Sequence, residues 1–261
     1  MADPITNWHS DITCTYCGCP LDTRVYFCPQ CAKPHCHMDS LLPASQPPYE
    51  DTETKLRTKA GPAWTLFFSY LCVIVVGSTI ALSIWGHDHL EPARIALSFA
   101  ILITTLVFLV RFWCEVSPLL SRFAIFHPAT WLGLAILAPM LLLNFGYHHF
   151  LIETLGIKTR DTMEYFSSTW GPLVFICILP AIVEEIGFRG IIQDQFEKVV
   201  PPWTAIAVAS LAFSAAHFTI LSAPYLALLG MLLGWMKWKT GSLYPSMVAH
   251  FLHNFIVITC F

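Results

Sequence analysis

The sequence predicts an all-α polytopic membrane protein with about seven transmembrane helices and a small cysteine-rich module at its N-terminus. The 261 residues are 56% hydrophobic and only 12% charged, whereas about a quarter of the residues in a soluble domain are charged. The mean hydropathy is +0.61, and the charges are clustered, which leaves long uncharged runs. A net charge of −3 without a basic patch gives no indication of nucleic-acid binding.

The N-terminal 61 residues hold six of the ten cysteines. Four of them form two CxxC pairs, Cys14-Thr-Tyr-Cys17 and Cys28-Pro-Gln-Cys31, which present four thiolates to one tetrahedral Zn²⁺. The module has too few apolar residues to fold unaided, and a structural zinc supplies about 10–16 kcal/mol in small modules. We therefore predict a zinc ribbon over residues 1–38. A disulfide pair and a redox-active CxxC are the alternatives.

A flexible linker is predicted over residues 39–61, because this stretch combines Pro, Ser and Thr with alternating charges. The predicted transmembrane domain, residues 62–261, follows it. Its seven apolar stretches are 63–85, 93–114, 128–150, 170–191, 203–221, 224–238 and 243–261. Most of them reach the ~20 residues that cross about 30 Å of hydrocarbon.

The distribution of Lys and Arg predicts a cytoplasmic N-terminus. With that orientation, eight cations flank the inner ends of the stretches and three flank the outer ends, as expected from the positive-inside rule. A cytoplasmic location also suits reduced zinc thiolates. The residues from Glu184 to Arg189 then fall in the inner half of the fourth stretch, so we expect the site to open toward the cytoplasmic side.

Glu184 and Glu185 are adjacent within the fourth apolar stretch. A carboxylate at bilayer depth costs about 2.5–3.5 kcal/mol on insertion scales, so such a pair indicates a functional site. Glu185 and Arg189 are spaced i, i+4 and can pair on one helix face, whereas Glu184 is rotated by ~100° and faces elsewhere. Pro180 removes one helix hydrogen bond and should bend the helix near the Ile176 carbonyl. The alternative is a buried Glu–Arg bridge that only holds helices together.

Two further stretches carry polar side chains, with His217 in the fifth and the i, i+4 pair His250 and Asn254 in the seventh. Each alone is equally explained by hydrogen bonds between helices. Together with Glu184 they form a set suited to hydrolysis. A glutamate can take a proton from water, a histidine can orient that water or bind a metal, and a second histidine with an asparagine can donate to an oxyanion.

These residues resemble the motifs of a known family. The three segments are Glu184-Glu185-Ile-Gly-Phe-Arg189, Phe213-Ser-Ala-Ala-His217 and His250-Phe-Leu-His253-Asn254. They are similar, in this order, to the EExxxR, FxxxH and HxxxN/D motifs of the intramembrane proteases of the CAAX-protease and bacteriocin-processing (Abi) family. The resemblance covers about residues 165–261 and implies an intramembrane endopeptidase. A zinc ribbon ahead of this domain is similar to that of some bacterial members.

The resemblance also implies a role for each residue. Glu184 would activate water, His217 would position and polarise it, His250 and Asn254 would stabilise the oxyanion, and Glu185 and Arg189 would support the site. Catalysis by glutamate alone and catalysis assisted by Zn²⁺ use the same residues, so the sequence does not decide whether catalysis requires a metal. The implied substrate is a membrane-associated protein or peptide in the lipid bilayer, and the implied location is a bacterial plasma membrane.

Two other classes of function compete with the peptidase. One is a non-enzymatic membrane immunity or scaffold protein, in which the polar side chains hold helices together. The other is a proton-coupled transporter, in which Glu184 and the histidines form a proton relay. Five further histidines receive no role from the sequence: His87, His89, His148, His149 and His253.

Overall fold

The computed structural model describes residues 14, 17, 31, 54, 58, 60–85, 90–156, 166, 168 and 170–260. The chain forms two compact units, Met1–Glu50 and Asp51–Phe261. In the first unit the described residues are Cys14, Cys17 and Cys31. The predicted ribbon fold over residues 1–38 and the predicted linker over residues 39–61 therefore lie almost entirely outside the described residues.

The secondary-structure elements among the described residues of the second unit are all helices, as predicted. Its helices are α1 (Gly61–Trp85), α2 (Leu90–Arg111), α3 (Trp113–Ser121), α4 (Pro128–Leu155), α5 (Trp170–Glu197), α6 (Pro202–Ala216), α7 (Ala223–Thr240) and α8 (Tyr244–Cys260). The seven predicted stretches each correspond to one helix, and α3 is an additional short helix that the sequence did not predict.

Four of these helices, α1, α2, α4 and α5, are long and apolar enough to cross a membrane. The structure thus supports a multi-pass membrane protein, with four candidate spans rather than about seven among the described residues. Helices α6, α7 and α8 are shorter, at 15, 18 and 17 residues. Helix α6 ends at Ala216, earlier than predicted, and Phe218 just beyond it has a φ of 51°, outside the helical region.

Helix α5 is the central helix of the unit. Half of its most apolar window is buried, compared with 11–28% in the other three candidate spans. Those three helices instead expose large apolar side chains, for example Val107 and Val110 on α2, the latter 80% exposed. Exposed apolar surface of this extent is explained by contact with lipid.

Two glycines on α7 allow other helices to approach its backbone closely. Gly230 and Gly234 are four residues apart, the spacing of small residues at membrane helix contacts. A Cβ at Gly230 would lie 2.9 Å from the Ser210 Cβ of α6, and a Cβ at Gly234 would lie 2.7 Å from Gln193 Oε1 of α5. The carbonyl oxygens of both glycines accept hydrogen bonds from α5, from Arg189 Nη2 at 3.2 Å and from Gln193 Nε2 at 3.0 Å.

Helix α5 contains two π-helical segments, Leu173–Ile178 and Glu185–Gln193. Between them, Pro180 has no backbone N–H to donate to the Ile176 carbonyl. The side-chain amide of Asn254 on α8 donates to this carbonyl at 2.8 Å. Segments of π-helix occur often at functional sites, and here one begins at Glu185.

The helix also continues to Glu197, six residues beyond its predicted end at 191. Glu184 to Arg189 still lie in the second half of this longer helix, which is the inner half if the N-terminus is cytoplasmic. The added turn carries Asp194 and Glu197, which form ion pairs with buried Lys237 of α7 at 3.0 and 3.2 Å. These contacts fix the C-terminal end of α5 against α7.

We expect Gly230→Ala to lower the stability of the membrane domain by about 1–3 kcal/mol, because the new methyl group overlaps Ser210 on the facing helix. The matched control is Gly146→Ala on α4, where a Cβ meets no atom within 4 Å. Thermal unfolding of both variants in detergent should show a lower midpoint for Gly230→Ala only. Equal midpoints would contradict the close contact between α6 and α7.

Candidate functional site

Glu185 lies at the centre of a fully buried polar cluster. Its Oε1 accepts from Arg189 Nη1 at 2.9 Å and contacts His250 Nδ1 at 2.9 Å. Glu185 and Arg189 are both 0% exposed, and His250 is 2% exposed. The i, i+4 ion pair that the spacing predicts is thus present in the structure, and a histidine from α8 completes it.

Arg189 connects this cluster to α6 and α7. Its Nη1 and Nη2 bond Glu185 and the Gly230 carbonyl, and its guanidinium carbon lies 4.4 Å from the ring centroid of Phe213. A guanidinium over an aromatic face is attracted to the ring quadrupole, more strongly when desolvated. The charge of Glu185 is therefore balanced by a fixed cation, which makes this glutamate a structural element of the site.

Glu184 has a different environment from its neighbour. Its side chain is 21% exposed, and its Oε2 is buried without a hydrogen-bond partner among the described residues. This oxygen faces His217 Nε2 at 3.9 Å. Glu185 Oε2 is likewise buried without a hydrogen-bond partner among the described residues, so Glu184 differs from Glu185 in being partly exposed and in facing a histidine across this gap.

His217 is held by its own helix in an orientation that suits Glu184. Its Nδ1 lies 2.8 Å from the Phe213 carbonyl oxygen, which can only accept, so Nδ1 carries a proton. When the ring is neutral, Nε2 therefore presents a lone pair toward Glu184. His217 is the C-terminal cap of α6 rather than an interior residue, because α6 ends at Ala216. This end of the helix leaves the imidazole 33% exposed.

The separation between Glu184 Oε2 and His217 Nε2 is too long for a direct hydrogen bond. It suits a water molecule that bonds to both atoms. With both bonds about 2.8 Å long, the angle at the water would be roughly 90°, near the angle between its two hydrogen atoms. The two side chains can therefore orient one water and accept its protons.

His250 and Asn254 occupy different positions on α8. His250 Nδ1 bonds Glu185, so Nε2 is the nitrogen that remains for a substrate. Asn254 Nδ2 donates to the Ile176 carbonyl, and its Oδ1 accepts from His253 Nδ1 at 2.9 Å. The structure thus brings Glu185 to His250 and Glu184 to His217, and it joins Asn254 to α5 through a backbone carbonyl.

A cavity of about 460 Å³ extends along Glu184 and His217. Its other walls come from the middle of α1, the first half of α2, both halves of α5, Phe166 before α5 and Ala216 at the end of α6, and most of the lining side chains are apolar. Among the described lining residues, His250 and Asn254 do not appear. With the predicted cytoplasmic N-terminus, the lining residues of α2 lie toward the outer side of the bilayer, and Glu184 and Phe188 lie in the inner half of α5.

Three features of the site received no role from the sequence, although Phe213 stands in one of the motifs. Tyr70 of α1 lines the cavity. The feature of the sequence that could have indicated its role is its position well inside an apolar stretch, because interfacial tyrosines are enriched at the ends of such stretches. Phe213 is 0% exposed, and its ring contacts Arg189, His217 and His250. The GxxxG spacing of Gly230 and Gly234 is visible in the sequence and indicates a close helix contact. The sequence does not show which side chain bonds the Gly230 carbonyl.

The residues around Glu184 do not fit a catalytic zinc site in the structure. Such sites use three protein ligands. In the described ranges, the only three His, Cys, Asp or Glu atoms that lie within 4.8 Å of one another belong to Cys14, Cys17 and Cys31. Among the described residues, Glu184 and His217 supply two candidate ligands without a third.

The three described cysteines of the N-terminal unit lie close together. Their sulfur atoms are all within 4.8 Å of one another, and Cys14 Sγ is 3.5 Å from Cys31 Sγ. Two sulfurs bound to one zinc at about 2.3 Å in a tetrahedron are about 3.8 Å apart, so the spacing fits shared metal ligation. Cys28, the fourth predicted ligand, lies outside the described residues.

The fold and the site together define a multi-pass helical membrane protein with a carboxylate–histidine pair at a buried cavity. Residues 166–256 match the family model of the type II CAAX prenyl endopeptidases, Rce1-like. This segment is about a third of the chain and contains all three motifs. This segment is therefore similar to the Rce1-like family, in agreement with the resemblance that the motifs indicate.

One curated relative is the uncharacterized protein YpbD of Bacillus subtilis (strain 168), which is 32% identical over 127 residues. The aligned region covers 47% of this chain and 63% of the relative, so the chain spans less than two thirds of that protein's length. No solved structure matches the chain.

We expect Arg189→Met to destabilise the membrane domain by about 3–5 kcal/mol, because Glu185 would lose its buried counter-ion. The double variant Glu185→Gln/Arg189→Met should recover much of this loss, since no unpaired charge then remains. The control is Lys198→Met, which breaks part-exposed pairs with Glu115 and Asp194 that are each worth about 0–1 kcal/mol. Thermal unfolding in detergent measures all three, and a double variant no more stable than Arg189→Met would contradict the buried ion pair.

Proposed function

We propose that the protein is an intramembrane endopeptidase that hydrolyses a peptide bond of a membrane-associated protein or peptide. The observation that carries the proposal is the unpartnered Glu184 Oε2 facing His217 Nε2 at 3.9 Å at the wall of a cavity. The family match over residues 166–256 supports a peptidase and hence a protein substrate.

Glu184 is the proposed general base. It takes one proton from the water that it and His217 orient, while the water oxygen forms a bond to the carbonyl carbon of the substrate. The electron pair of the carbonyl moves to its oxygen. When the C–N bond breaks, protonated Glu184 returns the proton to the leaving amine. Glu185 does not compete for this role, because its Oε1 bonds Arg189 and His250, and its side chain is fully buried and is not among the described residues that line the cavity.

The oxyanion-stabilising role that the resemblance implies for His250 and Asn254 remains part of the proposal. His250 would use Nε2, since its Nδ1 bonds Glu185. Asn254 would donate to an oxyanion only by exchanging its bond to the Ile176 carbonyl. In its resting position it instead compensates for Pro180 and fixes the part of α5 that precedes Glu184.

The lining of the cavity favours apolar residues next to the scissile bond. Leu97, Ile101, Phe175 and Phe188 contribute to its walls, and burial of an apolar side chain against such a wall is favourable by about 25 cal/mol per Å². A substrate anchored in the lipid bilayer fits a site whose residues lie on membrane helices. A bacterial plasma membrane with the N-terminus in the cytoplasm is the proposed location.

We expect Glu184→Gln and Glu184→Ala to lower kcat by about 10²–10⁴-fold, because each removes the base that activates water. The matched control, Glu153→Gln, changes an exposed carboxylate on α4 and should leave hydrolysis unchanged. The measurement compares membrane proteomes of cells with wild type and each variant, followed by assay of the purified protein on the substrate found. Retained cleavage in Glu184→Gln would refute the peptidase, and pH-driven flux in liposomes would favour the transporter.

We also propose that the N-terminal unit binds one structural Zn²⁺ through Cys14, Cys17, Cys28 and Cys31. The close approach of three of these sulfurs supports this ligand set. Zinc would replace the hydrophobic core that so short a cysteine-rich segment lacks.

Cys14→Ser should therefore lower the zinc content of the purified protein from about one ion per chain, while cleavage by the membrane domain remains. Cys72→Ser, which changes an exposed thiol on α1, is the control and should keep its zinc. Zinc is measured by elemental analysis before and after treatment with a chelator. Equal zinc content in both variants would exclude the four-cysteine site.

A further inference from the structure

Tyr70 of α1 brings a buried hydroxyl to the cavity that holds Glu184 and His217. It is 2% exposed and lines the cavity. It lies far outside the segment that matches the family model, which begins at residue 166. None of the roles that the motifs imply uses it.

The backbone of α5 leaves room for this hydroxyl. A Cβ at Gly187 would collide with Tyr70 Oη, so only glycine at this position allows the phenol to reach the helix. Gly187 is three residues after Glu184, and residues at this spacing lie on one helix face. The Tyr70 ring also packs against Phe188, with ring centroids 5.5 Å apart. Tyr70 and Glu184 both line this cavity.

Thr105 of α2 gives Tyr70 two alternative hydrogen-bond arrangements. In the structure Thr105 Oγ1 donates its single proton to the Ile101 carbonyl at 2.9 Å. The 2.7 Å contact between the two hydroxyls therefore has Tyr70 as donor. If Thr105 turns its proton to Tyr70 Oη instead, the Tyr70 proton is released toward the cavity.

This exchange leaves no group without a partner. The Ile101 carbonyl keeps the backbone hydrogen bond of its own helix turn, and Thr105 still donates to Tyr70. A hydroxyl that receives one hydrogen bond also becomes a better donor of the next, since chains of hydrogen bonds polarise one another. The pair can thus supply a donor at the moment when negative charge develops in the cavity.

The proposed reaction requires a hydrogen-bond donor for the oxyanion of the tetrahedral intermediate. The electron pair that reaches the carbonyl oxygen during attack by water requires a donor close to Glu184. Asn254 donates to a backbone carbonyl, and neither it nor His250 is among the described residues that line the cavity. Tyr70 lines it together with the proposed base.

We propose that the Tyr70 hydroxyl, supported by Thr105, is a further catalytic group that donates a hydrogen bond to the oxyanion of the tetrahedral intermediate. The proton stays on Tyr70, so this step needs no additional acid or base. The inference rests on the proposed peptidase function. It also gives α1 and α2 a direct part in the chemistry.

The test uses the full-length protein in proteoliposomes with a library of internally quenched fluorogenic octapeptides, which gives kcat and KM for the preferred sequence. Tyr70→Phe keeps the ring packed on Phe188 and removes only the hydroxyl. We expect kcat to fall about 100-fold, with little change in KM.

Thr105→Val should cause a smaller fall, because Tyr70 keeps its own proton. Tyr225→Phe is the matched control, since its buried hydroxyl lies on α7 outside the cavity lining, and it should match the wild type.

Thermal unfolding separates a catalytic from a structural effect. A structural defect would lower the unfolding midpoint, and activity would return at a lower assay temperature, whereas the loss of a donor persists at every temperature. Wild-type kcat in Tyr70→Phe, or activity regained on cooling, would overturn the role of Tyr70. Wild-type kcat in Glu184→Gln would instead overturn the peptidase itself, so the two failures are distinguishable.

Discussion

Two carboxylates that are adjacent in sequence at membrane depth need different surroundings, and the buried contact between Glu185 and Arg189 provides the difference. At 2.9 Å and with both side chains fully buried, the pair removes one negative charge from the site. His250 contacts the same carboxylate oxygen from α8. With Glu185 held in this way, Glu184 is left as the carboxylate that faces the cavity and His217.

The same contact organises the helices around α5. Arg189 also reaches the Gly230 carbonyl and the Phe213 ring, so one side chain joins α5 to α6 and α7. Gln193, one turn further along, repeats the bond to α7 at the Gly234 carbonyl. Both bonds require the glycines, because a Cβ at either position would meet a neighbouring helix. The polar site and the helix packing are therefore parts of one arrangement.

Pro180 shows how an irregular helix is kept in order inside a membrane domain. It has no backbone N–H to donate to the Ile176 carbonyl, and an unpaired carbonyl in hydrocarbon costs several kcal/mol. The Nδ2 of Asn254 donates a hydrogen bond to this carbonyl, and the Oδ1 of the same side chain accepts one from His253 Nδ1. A motif residue for which the resemblance implies only a catalytic role is thus also part of the structure of α5.

The sequence by itself determined the helical class, the positions of the apolar stretches to within a few residues, and the set of polar residues at membrane depth. These depend on composition and on spacing along one helix, as the i, i+4 pair of Glu185 and Arg189 does. Only the tertiary structure decided which residues from different helices meet. In the tertiary structure His217 faces Glu184, Asn254 donates a hydrogen bond to the Ile176 carbonyl, and Tyr70 lines the cavity. Such contacts depend on where each helix ends and on how closely the helix backbones approach one another.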